Sequence, residues 1–179
     1  VWVAANAIVI ANAGITLGAI KFIAELRGSG RDDLTAVLVR RLRSMQTTLL
    51  LVVIVVLGVI FAFARDRIAP GVDLWLLGLL ILSVALRAPY MFNIAVLKGA
   101  QDFRSTAVVA IVGASFNLAL VVLAWAKAAT LPMFVTIYVV SSLVFYVVSQ
   151  WRASRFARLA TGNTAILAPE METRMRHHL

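Results

Sequence analysis

Residues 45–64 read M-Q-T-T-L-L-L-V-V-I-V-V-L-G-V-I-F-A-F-A, twenty residues without one charged side chain. A helix rises ~1.5 Å per residue, so a stretch of this length covers about 30 Å, the thickness of the hydrocarbon core of a bilayer. Leu, Val and Ile occupy it on every side, and a helix apolar all round has lipid for its solvent over much of its surface.

Four further apolar runs share this character, and together they predict spans at about 1–23, 45–64, 74–97, 105–126 and 133–151. The first loop, E-L-R-G-S-G-R-D-D (25–33), carries Gly28 and Gly30 to stop one helix and Asp32 or Asp33 to cap the next. Leu34–Arg43 reads as a short interfacial helix. The third span holds Arg87 and Pro89 near its middle, where a kink is expected. Residues 152–179 form a polar tail or connector. The chain is therefore all-α, a polytopic transmembrane bundle of about five spanning helices. A hydrophobic content of 62% and a mean hydropathy of +0.95 exclude a water-soluble domain of this size. Val1 opens directly in an apolar run with no basic leader, so the sequence reads as a segment of a longer one.

The net charge of +9 would suit nucleic acid, but the basic residues lie between the apolar runs, which assigns them to membrane topology and leaves no nucleic-acid surface. Thirteen of the 17 Lys and Arg fall on one side, in the first loop, the 98–104 loop and the tail, against three on the other, Arg65, Arg67 and Lys127. Because cytoplasmic loops retain the basic excess, the first loop and the C-terminal tail are expected in the cytoplasm and Val1 at the outer face of the cytoplasmic membrane. Trp2, Trp75, Trp125 and Trp151 all fall at span ends, where indole prefers to lie. The absence of cysteine removes disulfides, thiolate metal sites and cysteine nucleophiles.

In lipid, helices meet through small and polar residues. Ala7, Ala11, Gly14, Gly18, Lys21 and Glu25 recur at spacings of four and three along the first span, with Gly14 and Gly18 as a GxxxG pair. Lys21 and Glu25 read either as a salt bridge at the helix end or as a charged pair at the mouth of a cavity. Arg87 is the one charge well inside a span, and it shares a helical face with Ser83 and Tyr90. Such a guanidinium either bonds backbone carbonyls at the kink or faces a hydrated interior, where its fork suits phosphate oxygens. Thr106, Ala110, Gly113 and Asn117 stripe the fourth span, and Tyr138, Ser142 and Ser149 the fifth. These are packing faces first, with Asn117 also able to line a cavity.

None of the eight acidic residues lies mid-span, and neither a phosphate loop nor a zinc-hydrolase spacing is present. That argues against a membrane-embedded transferase, and no metal or cofactor is implied. A noncatalytic scaffold would leave Arg87 unexplained.

Two segments carry a resemblance. G-I-T-L-G-A-I-K-F-I-A-E-L-R-G-S-G-R (14–31) looks like the end of the second transmembrane helix and the following loop of polysaccharide-export flippases, and V-L-K-G-A-Q-D-F-R (96–104) resembles their loop between helices four and five. These proteins belong to the exporter superfamily that also holds multidrug exporters. The resemblance implies helices two to six of an N-terminal lobe, with a C-terminal lobe missing from this sequence. It also implies a lipid-diphosphate-linked oligosaccharide as substrate, moved by alternating access, with Arg87 as the group meeting the diphosphate. The chain lacks the family's first helix and second lobe, so alone it is not expected to transport. A multidrug-type exporter is the nearer alternative, disfavoured because cation coupling usually needs an intramembrane carboxylate.

The absence of cysteine makes the topology directly testable. A membrane-impermeant maleimide is expected to label Ser29→Cys only from the cytoplasmic side and Lys127→Cys only from the outer side; the reverse pattern would invert the orientation.

Overall fold

The computed structural model describes residues 2–12, 14–68, 73–127 and 130–159. They form α1 (Trp2–Asn12), α2 (Ile15–Gly28), α3 (Asp32–Ile68), α4 (Leu74–Gly99), α5 (Phe103–Ala126) and α6 (Leu131–Leu159). Five stretches are long and apolar enough to cross a membrane: Val3–Gly28, Leu34–Phe63, Leu74–Gly99, Phe103–Ala126 and Pro132–Arg155. The protein is a multi-pass helical membrane protein.

Two elements depart from the expected spans. The first span runs on to Gly28 and is broken, because Gly14 adopts a left-handed backbone (φ 79°) between α1 and α2. A β-carbon there would meet nothing within 4 Å, so Gly14 supplies a break in the helix and not a close helix contact. The expected interfacial helix at Leu34–Arg43 is the beginning of α3, which continues for 37 residues and roughly 55 Å. Continuity follows from its stripe, in which Leu34, Leu38, Leu42, Gln46, Leu50, Val53 and Leu57 recur at helical spacing and are all buried. α4 remains one helix through Pro89. Of the polar tail, 152–159 extends α6 and 160–179 lies outside the described residues, as do the side chains of Asp32 and Asp33.

Helix α4 is the hub. It touches α1, α2 and α3 on one side and α6, with α5 behind, on the other. Two apolar clusters hold the first side. One joins Ile15, Ala19, Phe22 and Ile23 of α2 to Leu38 and Leu42 of α3 and Phe92, Ala95 and Val96 of α4. The other joins Ala4, Ile8 and Ala11 of α1 to Leu50 and Leu57 of α3 and Val84 and Ala88 of α4. α5 leaves Ile111, Leu118, Val122, Leu123 and Trp125 exposed, the surface of a helix that faces lipid.

The loop 98–104 is a compact device. Gly99 lies against α2 so closely that a β-carbon would sit 2.9 Å from Ile23 Cβ and 3.0 Å from the Ala19 carbonyl oxygen. Gln101 then takes a left-handed conformation (φ 59°), while its N–H donates to the Lys98 carbonyl and the Asp102 N–H to the Leu97 carbonyl, both at 2.9 Å. This is the paired hydrogen-bond pattern that closes many helix C-termini. Asp102 immediately caps α5, accepting from the Ser105 N–H at 3.0 Å. The α2–α3 turn closes in the same way around Gly30 (φ 71°), with Gly30 N–H donating to Arg27 O and Arg31 N–H to Leu26 O. Arg27 Nη1 donates to the Ala100 carbonyl, so the two loops are tied to each other.

Burial alone would raise the Asp102 carboxyl, but the hydrogen bonds from Ser105 and the charges of Arg152 and Arg104 hold it below its ordinary value. A depressed folded-state value means that its stabilisation is complete above the unfolded carboxyl's range and fades as pH falls through the lowered value. Asp102→Ala is expected to cost about 1 kcal/mol and to flatten the acid limb of a thermal-stability profile in detergent. Gly99→Val should cost about 1–3 kcal/mol by overpacking, and an unchanged melting temperature would contradict the close approach.

Candidate functional site

The seam between α4 and α6 gathers the polar side chains that the apolar clusters exclude. Arg87 projects from the middle of α4 and is half-buried. Its Nε donates to Ser142 Oγ at 3.1 Å, and its guanidinium lies 4.3 Å from the centroid of the Tyr138 ring. Ser142 Oγ in turn donates to the Tyr138 carbonyl at 2.7 Å, which fixes the hydroxyl as an acceptor toward α4. The two terminal nitrogens of Arg87 have no hydrogen-bond partner among the described residues. A guanidinium anchored through Nε and stacked on a ring keeps its fork free for a planar, two-oxygen acceptor such as phosphate.

A cavity of about 220 Å³ lies beside this arrangement, between α1, α4 and α6, with Ala4, Leu80, Ser83, Phe134 and Tyr138 in its wall. Ser83 stands one helical turn from Arg87. Its walls are apolar apart from Ser83 and Tyr138, the same tyrosine that carries the guanidinium.

Nearer the α4 C-terminus a second polar cluster joins three helices. Asn93 is 1% exposed; its Oδ1 accepts from Arg43 Nη2 of α3 at 2.9 Å, and its Nδ2 donates to Ser149 Oγ at 3.2 Å and Gln150 Oε1 at 3.1 Å of α6. The Arg43 guanidinium also lies 5.8 Å from the Phe92 ring. Asn93 thus has both ends of its amide satisfied. Gln46, one turn along α3 from Arg43, is 2% exposed, yet its Nε2 has no hydrogen-bond partner among the described residues.

Of the other sequence candidates, Tyr90 lies within electrostatic reach of Arg87, and the rest are dispersed. Tyr90 packs on Phe145 of α6, with ring centroids 5.1 Å apart, and lines an open groove between α2 and α4. Gly113 makes room for that phenylalanine, since a β-carbon on it would overlap the Phe145 ring. Asn117 Oδ1 accepts from Ser141 Oγ at 2.8 Å and so fastens α5 to α6. Lys21 and Glu25 are exposed on α2, and Lys21 lies near the level of Gly99, roughly 18 Å along α4 from Arg87. Gly18 is half-buried on α2. The structure joins Arg87, Ser83, Tyr138 and Ser142 into one site and adds Asn93, Arg43, Ser149 and Gln150 as a second polar layer. Sequence reasoning passed over Asn93 because it weighed charges first; an amide two turns beyond Arg87 in an apolar span was the available signal.

Among the described residues no group of three or more His, Cys, Asp or Glu is placed to hold a metal. Compared with known protein families, curated proteins and solved structures, the chain matches none of them.

The two buried amides make opposite predictions. Asn93→Leu strands Arg43 and two α6 acceptors and is expected to cost roughly 1–3 kcal/mol, whereas Gln46→Met removes an unpartnered donor and is expected to be neutral or stabilising. Unfolding in mixed detergent micelles measures both, and similar losses for the two would contradict these assignments.

Proposed function

We propose that the chain is part of the N-terminal lobe of an exporter that moves a lipid-diphosphate-linked oligosaccharide across the cytoplasmic membrane for polysaccharide assembly. The observation that carries this reading is the state of Arg87: a half-buried charge at mid-span, anchored at Nε by Ser142 and held over Tyr138, a wall residue of the neighbouring cavity, with no partner for its terminal nitrogens among the described residues. A purely structural arginine would spend its terminal nitrogens on backbone carbonyls or interhelical partners. A free fork in a setting of low polarity supports binding of a phosphate-type anion.

The two resembling loops also support the reading. They touch each other through Arg27 and Ala100, and through Gly99 and α2, so the segments that carry the likeness form one local unit. In this proposal the α2–α3 loop is cytoplasmic, the second lobe completes the cavity, and the partners are membrane lipid and the lipid-linked glycan. A multidrug exporter of the same superfamily is less well supported, because no acidic side chain lies at depth in a span. A transferase is less well supported, because none of the eight acidic residues lies mid-span beside Arg87.

The test is transport by the full-length protein in cells whose surface glycan depends on it. Arg87→Ala is expected to lower export at least about tenfold, the weight of a charge-assisted hydrogen bond, and Arg87→Lys to retain part of it as a point charge without the fork. Export at the level of the unaltered protein in both variants, with normal insertion, would remove Arg87 from the mechanism and this proposal with it.

A further inference from the structure

Helices α2 and α4 run in the same direction and do not pack evenly along their length. At the loop end they are pinned, with Gly99 against Ala19, Ile20 and Ile23. Toward the middle of the bundle Ile15 still packs with Phe92 of α4, while the neighbouring face, from Thr16 to Tyr90, is left open; α2 itself begins after the break at Gly14. The space left between the two helices is an open groove of about 300 Å³. Its sides are Ile20 of α2 and Met91, Ile94 and Ala95 of α4, with the hydroxyl-bearing Thr16 and Tyr90 also in its wall. Lys98, exposed, stands at the loop end, and Lys21 follows Ile20 there.

The order of these groups matches the order of groups in a phospholipid. A cation sits at the membrane surface, and an apolar trough runs from it toward the bilayer midplane, the direction an acyl chain takes from its phosphate. Basic pockets between transmembrane helices are a recurrent form of anionic headgroup recognition, and Lys is a sufficient point charge for a phosphate oxygen. Met91, 44% exposed, supplies an unbranched, adaptable side chain suited to a flexible chain.

We propose that the α2–α4 groove is a binding site for an anionic phospholipid from the leaflet on the side of the α2–α3 loop. The phosphate sits on Lys98, with Lys21 nearby, and one acyl chain lies along Ile20, Ile94 and Met91. The site adjoins the Arg87 cluster at Tyr90, but its lysine end lies at the opposite end of the groove, and the proposal does not depend on what the protein exports. The bound chain would complete the packing of a broken span, whose α2 segment presents Thr16 and Ile20 to the groove.

The experiment is native mass spectrometry of the full-length protein in mild detergent, with equal amounts of phosphatidylglycerol and phosphatidylcholine added. At least one phosphatidylglycerol is expected to be retained, preferred about fivefold, the increment a single lysine contributes beside an anionic lipid. Lys98→Gln should abolish the preference. Met91→Trp, which fills the groove from an exposed position, should abolish the retained lipid itself, and Ile94→Trp gives a second filling variant should the first fail to fold. Lys127→Gln, at the far end of α5, should change neither. Equal retention of both lipids by the unaltered protein, full retention in a folded filling variant, or an equal loss of preference in Lys127→Gln would overturn the site.

Discussion

The constraint on which this architecture rests is that a polar side chain surrounded by hydrocarbon must find its partners within the protein. Helix α4 carries both of the polar groups that make this demand most strongly, Arg87 and Asn93, and α6 answers them with Ser142, Tyr138, Ser149 and Gln150. The apolar contacts of α1, α2 and α3 with α4 are shape-dependent but chemically interchangeable with lipid. The polar seam is not, since lipid tails offer no acceptor or donor in exchange. It therefore sets which face of α4 meets which face of α6, and it is where the mid-span charge of Arg87 is held.

The loops make that seam possible by fixing where α4 ends. Gly99, Gln101 and Asp102 bring α4 to a stop against α2 and start α5 within three residues, and Arg27 ties the neighbouring turn to the same point. The far side is held by the second apolar cluster, of α1, α3 and α4, and the break at Gly14 lies between the two fastenings.

Much of the fold was legible in the sequence because hydrocarbon thickness is a ruler: runs of about 20 apolar residues, bounded by Arg, Lys and Trp, give span number and approximate limits. What escaped was what two chemistries share. Gly14 and Gly18 have the spacing of a packing motif, but glycine is also the residue that tolerates a left-handed backbone, and at Gly14 that second property is the one used. The close glycine contacts lie instead at Gly99, at the edge of its span, and at Gly113, a glycine of the expected packing stripe of the fourth span, against Phe145. The junction between the expected interfacial helix and the second span was invisible as a continuity because arginines interrupt hydropathy there, although the buried stripe from Leu34 to Leu57 keeps helical phase across it. Arg87 was legible as an anomaly of charge. Its partners were not, because serine and tyrosine on another helix carry no mark of register until the helices are docked.

The account stands on Arg87 being held by α6 within the bundle. A double-mutant cycle in bilayer or mixed micelles, combining Arg87→Met with the pair Ser142→Ala and Tyr138→Leu, measures that contact directly. The account predicts a coupling of about 1–2 kcal/mol, the sum of an interhelical hydrogen bond and a desolvated cation–π contact. A coupling indistinguishable from zero would mean that the guanidinium turns elsewhere, and the site built around it would have no foundation.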